Sequence, residues 1–243
     1  MRAKLPKDRV NKLWRFLFPA ACLLCSASSS RSKNDYLCDN CLADLQDNHH
    51  ACSLCALPIT ESQSTSLCAD CLKSPPAFDR CLSAFVYAQP LEWMIQQLKF
   101  NEKLSYAPLL SSLLLSYLQG KTSENLKADA IIPMPLHPKR LKERGFNQSF
   151  LLLESIACEM DLFIDSTSCR RIRNTPHQTG KTAEQRRKNI KGSFQFDNRK
   201  GYKYVIIFDD VITTGSSVGE LSKVIKCSGV ERVDVWSLAR AGK

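Results

Sequence analysis

Four C-x-x-C pairs stand in the first third of the chain, and they repeat with a fixed period. The pairs are Cys22/Cys25, Cys38/Cys41, Cys52/Cys55 and Cys68/Cys71, and each cysteine of the first two pairs has a counterpart 30 residues on. The segment is a tandem repeat of C-x2-C-x12-C-x2-C. A C-x-x-C turn puts two thiolates on one side of a tetrahedral centre, and a second such turn completes the shell. The spacer 26–37 is serine-rich and has almost no core of its own, so a metal must supply the folding free energy that burial cannot. Two zinc ions are expected, one for each repeat unit rather than in an interleaved cross-brace. An iron–sulfur cluster uses the same ligands and is not excluded by spacing. Four disulfides need an oxidising compartment, and no convincing export signal is present. A thioredoxin-like redox pair normally occurs once, beside a βαβ unit. His49 and His50, between the units, read as exposed linker residues. Cys81, Cys158, Cys169 and Cys227 fit no metal spacing, and Cys158 reads as core packing on a helix.

The cysteine-rich part ends near Lys73-Ser74-Pro75-Pro76, a short linker that cannot continue a helix. Residues 1–76 are thus expected to hold an N-terminal helix and the tandem zinc units, and 77–243 a separate domain. Charge divides the chain as well. Residues 1–79 carry 9 basic and 8 acidic side chains, whereas 139–203 alone carries 15 and 7. A concentrated cationic field attracts phosphate esters, pyrophosphate or nucleic acid, although a solvated basic face has the same composition. With 44% hydrophobic and 24% charged residues, collagen, coiled coil and wholesale disorder are excluded. No run of about 18 uncharged apolar residues exists, so no membrane-spanning helix is expected. The basic start followed by the apolar stretch 16–24 resembles a signal peptide. Cleavage near Ala20-Ala21 would strip Cys22 from its repeat, so a short amphipathic helix is expected instead. Val10, Leu13, Trp14 and Leu17 form its stripe, docked on a neighbouring domain, and the chain is expected to be cytoplasmic.

The remainder alternates strands and helices. Strands are expected over 81–88, 129–134, 203–208 and 233–238, and helices over 90–100, 107–118, 148–160 and 216–227. The continuous apolar run Tyr204-Val205-Ile206-Ile207-Phe208 suits a strand covered on both faces. The fold class is α/β, a mostly parallel sheet flanked by helices, with a small Cys-rich N-terminal domain. Ligands of such sheets sit beyond the carboxyl ends of the strands.

The strongest functional motif lies there: Phe208-Asp209-Asp210-Val211-Ile212-Thr213-Thr214-Gly215-Ser216-Ser217. A buried strand delivers two adjacent carboxylates to its open end, and a small-residue turn leads into a helix. Backbone N–H groups and hydroxyls of 213–217 form a phosphate cradle at that helix N-terminus. Gly215 permits close approach. Paired carboxylates beside a phosphate make electrostatic sense if they hold ribose hydroxyls or a divalent cation. A ribose 5-phosphate group satisfies both halves. A capped helix with ordinary turn chemistry explains the turn but not the acids.

This stretch resembles the 5-phosphoribosyl 1-pyrophosphate (PRPP) signature of type I phosphoribosyltransferases, and the wider chain resembles the ComF/GntX family. The shared features are the paired cysteine units, Leu98-Lys99-Phe100, Pro133-Met134-Pro135-Leu136-His137, Arg144-Gly145-Phe146-Asn147-Gln148, Arg173-Asn174-Thr175-Pro176-His177-Gln178 and the acidic motif. The resemblance implies a type I phosphoribosyltransferase-like sheet preceded by a double zinc ribbon. It implies PRPP and Mg2+ as ligands, with Asp209 and Asp210 as catalytic residues on the ribose hydroxyls. Thr213, Thr214, Gly215, Ser216 and Ser217 would hold the 5-phosphate. Pro135, Leu136 and His137 would form the pyrophosphate loop. A lid over 170–189 would carry Arg170, Arg171, Arg173, Lys181, Arg186, Arg187 and Lys188. It further implies use of imported DNA, with single-stranded DNA and a competence helicase or other DNA-processing proteins as partners. No element selects an acceptor base. Lys99 reads equally as a solvated helix end, Arg144 as an anchor to Glu143 or Glu154, and Phe146 and Trp236 as stacking or packing aromatics.

Overall fold

The computed structural model describes residues 21–27, 36–60, 66–122, 126–174 and 189–242. They belong to two compact units, Met1–Leu45 and Gln46–Lys243. The stripe of Val10, Leu13, Trp14 and Leu17 lies outside the described residues, as do Thr175, His177, Gln178, Lys181, Arg186, Arg187 and Lys188.

The first unit is built around cysteine. Cys22 N donates to Ala27 O at 2.8 Å and Leu23 N to Tyr36 O at 2.9 Å, which folds a knuckle over Cys22–Cys25. Helix α1 (Asp39–Ala43) starts immediately after Cys38. Among its described residues the buried apolar groups besides cysteine are Leu37 and Leu45. For the described residues two leucines are a small core, which suits a region organised by its four cysteines.

The second unit opens with the other cysteine repeat, whose helix α2 (Ala69–Lys73) follows Cys68. Then come β1 (Arg80–Val86), α3 (Leu91–Phe100), α4 (Tyr106–Lys121), β2 (Ala130–Pro133), α5 (Pro138–Arg144) and α6 (Gln148–Glu159). They are followed by β3 (Cys169–Arg171), β4 (Phe194–Phe196), β5 (Tyr204–Ile212), α7 (Ser216–Cys227) and β6 (Arg232–Arg240). One sheet has the order β1-β6-β5-β2 with every pair parallel, and β3 and β4 form a separate antiparallel pair. Side chains alternate across the sheet. Val205, Ile207, Val233 and Val235 join Val218, Leu221 and Ile225 of α7, with Phe194 of β4, in one apolar cluster. Ile206, Phe208 and Trp236, equally buried, face the other layer of helices. There α4 buries Leu109, Leu110, Leu114 and Leu118, and its Ser111 Oγ donates to Leu152 O of α6 at 2.9 Å. Both faces are covered, as the unbroken apolar strand run requires.

Composition changes near residue 76, but the compact units part at Leu45 and Gln46. The second cysteine repeat is knitted to the sheet. Asp47 bridges Phe85, Asn48 N donates to Ala84 O at 3.0 Å, and Asn48 Nδ2 donates to Ala56 O at 2.9 Å. Ala56 is buried in the sheet's own apolar cluster.

Two details of the sequence reading change. Cys158 is exposed, because the inward stripe of α6 runs through Leu152, Leu153, Ile156 and Ala157. The strand ending in the carboxylates does not stop at Phe208 but runs on to Ile212, paired with β6 as far as Arg240. Its other neighbour β2 ends opposite Phe208. The open end is therefore one-sided, since β5 outruns β2 while β6 accompanies it.

Candidate functional site

The eight cysteines form two sequential centres. In each quartet, Cys22/Cys25/Cys38/Cys41 and Cys52/Cys55/Cys68/Cys71, all four Sγ atoms lie within 4.8 Å of one another. A tetrahedral zinc with Zn–S near 2.3 Å separates its sulfurs by about 3.8 Å. Cys25 and Cys38 are 3.7 Å apart, and Cys55 and Cys68 3.6 Å, so the residues fit zinc. Burial raises the thiol pKa of Cys52, but backbone amides of Cys55, Cys68 and Leu54 outweigh it and bring the thiol down to about 7. Cys22 repeats the pattern against burial, with amides of Cys25, Cys38 and Leu24 bringing it to about 6. Each knuckle thus presents one ready thiolate. The chain has two four-cysteine centres suited to two structural zinc ions. His49 and His50 are exposed and take no part, as expected.

The second site gathers at the carboxyl ends of β2 and β5. Asp210 is 2% exposed, and Lys99 Nζ, at the end of α3, lies 2.5 Å from its Oδ2. Lys99 is therefore not a solvated helix end. Asp209 accepts from Asp210 N at 3.0 Å and from Ser149 Oγ at 3.4 Å, at the start of α6. Burial and the charge of Asp210 push the Asp209 carboxyl up to about 8, with Lys99 pulling the other way. A carboxyl so placed gains from any cation or hydroxyl donor that enters.

The turn follows two residues beyond. Gly215 is left-handed at φ 73° and precedes α7, and Gly219 N donates to its carbonyl at 2.9 Å. Thr214 Oγ1 and Ser216 Oγ are 2.8 Å apart. Thr213 is exposed, and Ser216 and Ser217 are half-buried.

The loop after β2 lies alongside, because Met134 N donates to Phe208 O at 2.8 Å. Pro135, Leu136 and His137 are half-buried there. His137 Nδ1 accepts from Lys139 N at 3.3 Å and caps α5. Asn147 accepts from Ser149 N at 3.0 Å as the cap of α6 and donates to Met134 O at 3.1 Å, which ties the loop to that helix. Arg144 pairs with neither Glu143 nor Glu154. Its Nη1 donates to Gln148 Oε1 at 2.6 Å, and its guanidinium lies 5.6 Å over the Phe100 ring. The Arg-Gly-Phe-Asn-Gln element is thus a brace for the loop after β2.

Of the cations expected on a lid, Arg170 and Arg171 instead lie on β3, paired with β4, and Arg171 is half-buried. Burial and the charge of Arg140 lower its pKa, while Asp209 raises it, and its guanidinium lies 5.6 Å over the Phe194 ring. Arg173 Nη1 donates to Lys191 O at 3.2 Å. Trp236 is 1% exposed and cannot stack on a ligand. One participant carried no readable signal as a partner: Ser149, an ordinary helix serine whose hydroxyl meets Asp209.

Two cysteine centres ahead of a parallel α/β sheet define a zinc-ribbon α/β protein. The double zinc ribbon domain family matches residues 13–72. Competence protein F of Haemophilus influenzae is 34% identical over 223 residues, 90% of either chain. DNA utilization protein YhgH of Escherichia coli K12 is 36% identical over 171 residues, 70% of this chain and 75% of that one. Competence protein ComFC of Streptococcus pneumoniae is 24% identical over 159 residues, 64% of this chain and 66% of its own. The chain belongs to the ComF family.

Proposed function

We propose that the protein binds PRPP with Mg2+ and transfers its phosphoribosyl group to an acceptor during the handling of external DNA. The observation that carries this reading is Asp209 and Asp210 on the one-sided end of β5, two residues before a glycine turn that opens α7. The names of the relatives, competence protein and DNA utilization protein, support the biological setting.

In the reaction the C1–O bond to pyrophosphate breaks, its electron pair leaves with pyrophosphate, and a nucleophile attacks C1 and sheds its proton. Mg2+, when bound, offsets charge on the pyrophosphate. Asp209 and Asp210 hold the ribose hydroxyls and stabilise positive charge at the ring. The amides of the turn and the positive end of α7 hold the 5-phosphate. The 135–137 loop and Arg171 face the pyrophosphate, and Lys99 moves from Asp210 towards that anion. Incubation with PRPP, Mg2+ and a panel of nucleobases should give base-dependent pyrophosphate release that Asp210→Asn abolishes. No PRPP binding by calorimetry ends the reading.

A second reading has its own observation. Phe100 is 61% exposed, carries Arg144 over its ring and follows Lys99 directly. An aromatic face under a guanidinium suits base stacking. On this reading PRPP is sensed rather than consumed, and single-stranded DNA or a DNA-processing partner such as a helicase is the output. Saturable PRPP binding without pyrophosphate release, with DNA affinity that shifts with PRPP and falls in Phe100→Ala, would favour it.

A further inference from the structure

Arg240 ends β6 and is 5% exposed. Its Nε donates to Cys55 O at 3.2 Å. Its Nη1 donates to Ile212 O at 3.1 Å, to Thr213 O, and to Ala241 O at 3.1 Å. Cys55 belongs to the second cysteine centre, and Thr213 begins the turn before α7. One buried guanidinium therefore spans the metal knuckle and the anion turn.

The geometry has a consequence for the turn. In a trans peptide the C=O and N–H point in opposite directions. Arg240 holds the carbonyl of Thr213 and shares that of Ile212 with Ala241 N, which donates to it at 2.9 Å, so the amides of Thr213 and Thr214 face away from the guanidinium. The guanidinium cannot give up its proton, so it needs all its acceptors. Cys55 O is held in place by the knuckle, and the knuckle by its metal. Losing the metal loosens the knuckle that carries that carbonyl, and the guanidinium then rests on the carbonyls of Ile212, Thr213 and Ala241 alone.

We infer that Arg240 is a positioning residue that couples metal occupancy of the Cys52/Cys55/Cys68/Cys71 centre to the affinity of the 213–217 turn for a sugar phosphate. The Cys22/Cys25/Cys38/Cys41 centre lies in the other compact unit and is not coupled. The inference rests on the proposed reading of the turn. Coupling is reciprocal, so the sugar phosphate also holds the metal.

The test uses the full chain loaded with zinc and ribose 5-phosphate as probe. Zinc loss to a chromogenic chelator is followed with and without the sugar phosphate. Saturating ribose 5-phosphate should slow loss of one zinc about fivefold and leave the other unchanged. Cys25→Ser, which removes the first centre, should retain the protected zinc. Arg240→Lys should abolish the protection while keeping both zincs. Binding of ribose 5-phosphate with no effect on either zinc overturns the coupling, as does full protection in Arg240→Lys. A second arm needs no ligand and no variant. Ejecting the second zinc from the native chain should speed amide exchange at 213–217, and unchanged exchange there overturns the coupling. Failure of ribose 5-phosphate to bind, with exchange still responsive to zinc, sinks the reading of the turn and leaves the strut standing.

Discussion

Asp165 and Asp210 are each at most 2% exposed, yet they are satisfied in different ways. Asp165 accepts from Thr167 N and Oγ1 at 2.8 Å, Ser168 N at 3.0 Å, Ser168 Oγ at 2.5 Å, and Lys200 Nζ and Tyr202 OH at 2.9 Å. Burial opposes its charge, but those donors hold its carboxyl well below the usual range. It is complete without a ligand. Asp210 relies on Lys99, and Asp209 accepts from a backbone amide and from a long hydroxyl contact. The pKa of Asp209 is raised in the fold, so charging it costs stability as pH rises towards about 8. A cation-bearing ligand needs the charged form. PRPP–Mg2+ affinity measured by calorimetry should therefore climb with pH up to about 8, and Asp209→Asn should flatten the profile. Lys99→Met leaves a buried charge unpaired and should cost about 3 kcal/mol in urea unfolding. The doublet was legible in the sequence because an acid pair after an apolar run is rare chemistry. Its lysine was not, since nothing within α3 says which carboxylate its end will meet.

Elements were legible where they bury a stripe. Helix α7 was expected over 216–227 and spans Ser216–Cys227, with Val218, Leu221 and Ile225 inward. Helix α5 went unread although Pro138 stands at its start and Gly145 at its end. It buries none of its residues, so no apolar period marks it. The β3–β4 pair is three residues a side, too short for alternation to show. The reach of β5 past Phe208 was hidden because Asp209 and Asp210 break the apolar run while β6 goes on pairing. At the turn, Gly215→Ala meets Ile212 Cγ2 at an ordinary 3.9 Å, so space is not the obstacle. The left-handed backbone is, and the substitution should cost about 1 kcal/mol by urea unfolding. Sugar phosphate binding should weaken with it as the amides rotate. Leu221→Ala, in the middle of α7, should cost about 2–5 kcal/mol by the same measurement.

At the scale of the molecule, the cysteine period marked both metal centres and favoured sequential pairing over a cross-brace, and the structure has the sequential quartets. Composition did not reveal where contacts divide the chain, because belonging to a core is decided by what a segment touches. The two centres should accordingly fail differently. Elemental analysis should find two zincs per chain. On chelation, amides of 21–27 and 36–45 should lose exchange protection, since among the described residues there only Leu37 and Leu45 are buried apolar groups besides cysteine. Amides of β5 and β6 should stay protected, since that core stands on its own burial. Loss of protection throughout the sheet would show that the metal supports the whole second unit and not just its turn.

The join at Leu45 and Gln46 sits immediately before a strap. Val86 N donates to Gln46 O at 2.8 Å and Asp47 bridges Phe85, so a protease nicking ahead of Gln46 releases a product whose new end is already sewn down. A nick between Asn48 and Cys52 would instead sever the second ribbon from its own hem. Limited digestion should therefore trim the molecule to a durable remnant starting at the strap, a natural place to shorten the chain for crystals.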